Sequence, residues 1–111
     1  MRVKKNARAL RKMCTRLTVL IDQIYGNDAE VARIMGYANS SPLYRVRAMH
    51  AFPDVERLER LVNSPPAPGV VINLNWIVAG KGAPLLKVAR GAVADELSFG
   101  TFIDKYRASK A

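Results

Sequence analysis

Cysteine, histidine and tryptophan occur once each in this chain, as Cys14, His50 and Trp76. A single cysteine excludes an intrachain disulfide and suits a reducing compartment. The spacing offers neither a Cys/His nucleophilic pair nor a metal-ligand cluster. Cys14 reads as core, since free cysteine is commonly buried. No Gly-rich phosphate loop is present either, because Gly80-Lys81-Gly82 lacks the strand and the Ser/Thr that such a loop needs. No apolar run approaches the roughly 18 residues of a membrane span, and the basic N-terminus continues into an amphipathic pattern, not a secretory apolar stretch. The expectation is a soluble cytoplasmic protein that is not an enzyme and has no cofactor, metal, small-molecule ligand or membrane partner.

Acids are scarce too. Nine Asp and Glu face 18 Lys and Arg, a formal net charge of +9 on 111 residues, which is room for one core. Residues 1 to 16 carry Arg2, Lys4, Lys5, Arg8, Arg11, Lys12 and Arg16 with no acid. This reads as a basic arm entering a first helix, from about Asn6 to Tyr25 and ended by Gly26. On that helix Leu10, Met13, Cys14, Leu17, Leu20, Ile21 and Ile24 share one face, while Lys5, Arg8, Lys12 and Arg16 lie opposite. A surface of this kind attracts polyanions, with affinity gained from released counterions.

Residues 27 to 50, NDAEVARIMGYANSSPLYRVRAMH, read as two short helices with a polar hinge. Asn27 and Glu30 form a capping box. Val31, Ala32, Ile34 and Met35 supply an apolar stripe, and Gly36 stands where the helix should stop. The next helix begins around Ser41, with the Ser hydroxyl as cap and Pro42 in the first turn, where its missing N–H is harmless. Leu43 and Val46 point inward; Tyr44, Arg45 and Arg47 do not. A helix carrying two arginines and no acid is suited to reading DNA.

These segments resemble the helix-turn-helix domains of the lambda-repressor-like superfamily, found in many bacterial and bacteriophage regulators. Phe52-Pro53 followed by VERLERLV is similar to that family's loop and fourth helix. Residues 72 to 85, INLNWIVAGKGAPL, are similar to its fifth-helix segment, typically written NLNWLLTGEG. The resemblance covers roughly Asn6 to Leu85. Two departures are visible: one extra residue between Gly36 and Leu43, and a long Pro-rich segment from Ser64 to Val71. The resemblance implies an all-α fold, a compact five-helix domain over residues 1 to 85 followed by a C-terminal extension over 86 to 111. The fourth helix is expected from about Asp54 to Val62, with Val55, Leu58, Leu61 and Val62 inward. The fifth runs from about Leu74 to Ala79, capped by Asn73 and closed by Gly80, with Trp76 and Ile77 in the core. Val70 to Asn73 read as a short extended piece.

The function that follows is a sequence-specific, double-stranded DNA-binding transcriptional regulator of bacterial or phage repressor type, its third helix in the major groove. Arg45 would read a guanine through its planar fork. Ser40, Ser41 and Tyr44 would touch bases or phosphates nearby, Arg47 and His50 a phosphate. Lys4, Lys5, Arg8 and Lys12 would hold the backbone. In the tail, Ser98 caps a stripe of Phe99, Phe102, Ile103 and Tyr106, which either packs on the chain's own domain or joins two copies as a homodimer; the stripe is assigned here to the dimer. Two other classes stay open: a helix-turn-helix protein-interaction adaptor or antirepressor, and a DNA-binding accessory subunit of a packaging or recombination machine.

Overall fold

The computed structural model describes residues 2–89 and 92–107. α1 spans Arg2–Leu20 and continues as one wider π-helical turn, Ile21–Tyr25, closed by Gly26. The helix therefore starts before Asn6, and the expected basic arm is its first turn. Its inward face is the one the periodicity marks: Cys14, Leu17, Leu20, Ile21 and Ile24 are all buried.

α2 (Asp28–Met35) starts at Asn27, whose side chain accepts from the N–H groups of Ala29 and Glu30 at 2.8 and 3.3 Å. This satisfies two of the orphan donors at a helix start. It ends at Gly36, with φ 86°. Glycine suits the position: a side chain would be strained by the left-handed backbone, and an added Cβ, 2.7 Å from the guanidiniums of both Arg57 and Arg60, would displace them. Arg57 uses that close approach to donate to the Gly36 carbonyl at 2.6 Å, and its guanidinium lies over the Tyr37 ring, 4.8 Å from the centroid.

Five residues, 36 to 40, separate α2 from α3 (Ser41–Arg47), so the turn absorbs the extra residue counted in the sequence. The cap on α3 is not the Ser41 hydroxyl. Asn39, two positions earlier in the chain, accepts from the Ser41 N–H at 2.9 Å. At the other end the N–H groups of His50 and Met49 close onto the carbonyls of Arg45 and Val46, both at 2.9 Å, with Met49 at φ 62°. This is a Schellman closure with methionine where glycine is usual.

α4 (Val55–Val62) is capped by Asp54, which accepts from the Arg57 N–H at 2.9 Å. Leu58 and Leu61 face the core, but Val55 is 80% exposed, contrary to the inward position expected of it. It sits in the first turn, ahead of the buried stripe.

An all-α architecture is not what the chain adopts. Among the described residues the fold is a mostly helical globule with six helices and a small three-stranded sheet. The Pro-rich segment leads through an Ala67–Val70 bridge into β1 (Val70–Ile72), which pairs antiparallel with β2 (Leu85–Ala89), and β2 with β3 (Ala92–Leu97). Between β1 and β2 lies α5 (Leu74–Ala79), capped by Asn73 and closed by Gly80 as expected. The Asn73 amide also donates to the Ala83 carbonyl at 2.8 Å, pinning the return into β2. Ile77 is fully buried; Trp76 is half-buried at the core's edge, its ring edge-on to Phe99 at 5.3 Å.

Segment 86 to 107 contributes to the same core. Leu97 and Phe102 are buried there with Leu17, Leu61 and Ile77. α6 (Phe99–Phe102) is capped by Ser98 and runs into a second π-helical turn, Ile103–Arg107. Phe102, 2% exposed, stacks on Tyr106, and Phe99 packs against the core. The tail stripe thus packs on its own domain, and Phe102 has no surface to offer a second copy: a ring this size gains most by leaving water, and the shared core provides the place. No helix among the described residues is long and apolar enough to cross a membrane.

Candidate nucleic-acid interface

α3 meets the rest of the molecule through Leu43 and Val46, both buried, which fixes one face inward. Helical periodicity then turns Ser41, Tyr44, Arg45 and Ala48 outward together. All four are exposed, Tyr44 to 61%. Ser40 is partly covered at the N-terminal end of this face, and His50 is exposed just past its C-terminal end. The structure therefore brings together five of the six residues expected at or beside the third helix. Their donors fan over the length of α3 with no carboxylate on the helix itself.

The sixth, Arg47, has another role. It is turned sideways into two carboxylates. Its Nε and Nη2 donate to Asp28 at 2.9 and 2.6 Å, and Nη2 also to Asp22 at 2.7 Å. The fork locks the end of α3 to the end of α1 and the start of α2. These hydrogen bonds hold the Asp28 carboxyl below the usual carboxylate range, against the opposite pull of burial, and raise the Arg47 guanidinium further above its ordinary value. A phosphate ligand role for Arg47 is therefore replaced by an internal one: its donors are engaged, and two acids stand beside them. Sequence alone gave no hint, because Asp22 and Asp28 lie 25 and 19 residues away.

The basic residues of α1 divide. Arg8 and Lys12 are exposed, but they lie beside α5, where with Arg16, Val78 and Ala79 they line a recess of about 440 Å³. Lys4 and Lys5 fall in the opening turns of α1, and their side chains lie outside the described residues. A second recess, about 360 Å³ between α4 and α5, is lined largely by apolar side chains, among them Val55, Leu58, Leu74 and Val78.

Cys14 is fully buried, its thiol donating to the Ala51 carbonyl at 3.4 Å, and burial pushes its pKa up. That is a packing position and not a nucleophile's, since the thiolate is disfavoured there. No group of three or more potential metal ligands occurs among the described residues. Family models, curated proteins and solved structures give no match to this chain.

Proposed function

We propose that the chain is a sequence-specific double-stranded DNA-binding regulator of the bacterial or phage repressor type, which lays α3 in the major groove. One observation carries the reading: a short helix held by Leu43, Val46 and the Arg47 fork presents Ser41, Tyr44 and Arg45 to solvent on a chain of net charge +9. A major groove about 12 Å wide admits such a helix, and guanine offers two acceptors that match a guanidinium fork. The Arg47 fork matters for this use, because direct readout needs the helix pitch fixed before binding. His50, past the Schellman closure, adds a donor toward the flanking backbone. The resemblance of residues 6 to 85 to lambda-repressor-like domains supports the same reading.

One such helix covers about half a turn of duplex, so the reading calls for two copies on half-sites about 34 Å apart. With Phe102 buried, their contact lies outside the tail stripe.

Selection of bound fragments from a random duplex library tests the proposal. On the selected site Arg45→Ala should cost about 1 to 3 kcal/mol and relax preference at one base pair. Equal losses on selected and random duplexes would reject Arg45 as a reader, and failure to enrich any sequence would reject the proposal.

A further inference from the structure

Two contacts fix how α1 is rotated. The Cys14 thiol bonds the Ala51 carbonyl, in the loop leaving α3, at 3.4 Å. Arg16 donates to the α5 carbonyls of Ile77 and Val78 at 2.8 and 3.0 Å. Residues two apart on a helix are separated by about 200° around its axis. The exit from α3 and the end of α5 therefore flank α1 on opposite sides. Arg8, Lys12 and Arg16 follow one another at four-residue spacing, so they form a column on the α5 side, away from α3.

Among the described residues no carboxylate lines the recess that this column forms with Val78 and Ala79. Arg16 is committed to α5, whereas Arg8 and Lys12 have no hydrogen-bond or ion-pair partner among the described residues. Like charges at this spacing repel each other within the helix. An anion in the recess would relieve that repulsion. From Arg8 to Arg16 the column rises about 12 Å, which spans about two successive phosphates of one strand, since roughly 3.4 Å is only their rise along the duplex axis and along the strand itself they stand farther apart. That is more than one free phosphate ion fills.

We infer that the α1–α5 recess is a second phosphate site, which takes the backbone of a nucleic-acid strand other than the duplex beneath α3. The inference rests on the DNA-binding reading for the first duplex, and on the Arg8–Lys12–Arg16 column alone for the second. One copy of the chain then holds two segments at once, a bridging geometry that the α3 face by itself does not supply. Contact to phosphates carries no base information, so the second segment is held without regard to sequence.

The experiment uses the full chain, a bead-bound duplex of the selected sequence and a labelled random duplex of about 25 base pairs, at a salt concentration where phosphate contacts still dominate. The native protein should capture the labelled duplex. The Arg8→Ala/Lys12→Ala variant, its fold checked by circular dichroism, should lose roughly tenfold or more of that capture while its affinity for the bead-bound duplex alone changes less than about threefold. No capture by the native protein overturns the inference. Unchanged capture by the variant does so too, since bridging then comes from α3 helices of two paired copies. Parallel loss of both activities means a single binding track, again against it. Displacement of the labelled duplex by millimolar inorganic phosphate at constant ionic strength makes the recess a site for the free ion and overturns the strand assignment. Failure of the α3 reading shows separately, as Arg45→Ala leaving site preference intact.

Discussion

Replacing Arg47 with Met keeps the apolar stem of the side chain and removes the fork that ties α3 to Asp28 and Asp22. The Asp28 side chain is 18% exposed and that of Arg47 33%, so their paired bonds lie between the surface and buried regimes. Charge-assisted hydrogen bonds of this kind contribute roughly 1.5 to 3 kcal/mol, and partial solvent screening brings the Asp28 pair to about 1.5. Asp22, 52% exposed, adds at most about 0.5 kcal/mol. The expected loss is therefore about 2 kcal/mol. With unfolding entropy of about 2.1 cal/mol/K per residue over 111 residues, that lowers the melting temperature by about 8 °C. Urea denaturation of the native chain, the variant, Asp28→Asn and the double variant measures it, the cycle isolating the coupling between the two side chains. The pH dependence has a fixed sign. The folded-state pKa of Asp28 is depressed, so its contribution is fully present above the ordinary carboxylate value and disappears as pH falls through the lower folded value. The gap between native chain and variant should stay constant from neutrality to about pH 4 and close below it. An unchanged denaturation midpoint together with equally weakened binding to all duplexes would refute the reasoning and return Arg47 to the phosphate backbone.

Phe102→Ala should destabilise by about 3 to 5 kcal/mol, because a ring 2% exposed leaves a cavity in the core; chemical denaturation reads this, and a fully stable variant would mean the stripe lies outside the core. Tyr25→Phe should be neutral or stabilising by up to about 1 kcal/mol, since the Tyr25 hydroxyl is buried without a hydrogen-bond partner among the described residues and burial, with Glu30 nearby, lifts its pKa to about 12. A clear loss of thermal stability in that variant would show that the hydroxyl is satisfied.

The five helices over residues 2 to 79 were legible because most of their boundaries are marked locally, the exceptions being the start of α1 at Arg2 and the cap of α3. Asn27, Asn73 and Ser98 cap their helices as the sequence suggests, and Gly26, Gly36 and Gly80 close theirs. The sheet was not. β1 is three residues long, and β2 reads LLKVA, too short for alternation to separate it from a loop. Its partners become visible only through long-range pairing, Val70 with Lys87 and Leu85 with Leu97. The sheet had two traces in the sequence: the extended reading of Val70 to Asn73, where β1 lies, and the Pro-rich stretch before it, which departs from the pattern of lambda-repressor-like domains; β2 and β3 left none. The outward face of α3 was equally legible, since buried Leu43 and Val46 dictate it. The fate of Arg47 was not, because its partners lie on other elements. The rotation of α1 also needed tertiary contacts: charge alone placed Arg8 and Lys12 with the reading helix, whereas the bond from Arg16 to α5 puts them on the opposite flank.

The sheet's order, β1-β2-β3, makes β1 and β3 its edge strands among the described residues. An open strand is a template on which another chain can polymerise, the route to fibrils and to unwanted pairing during synthesis. One edge is only three residues long. The other, β3, carries the neighbouring exposed acids Asp95 and Glu96, from a chain that has only nine acids in all. A second copy docking there would bring carboxylate against carboxylate. Part of this protein's small acidic complement is thus placed where it keeps the sheet from growing, and neutralising those two positions in an engineered variant would invite aggregation before it changed anything at α3.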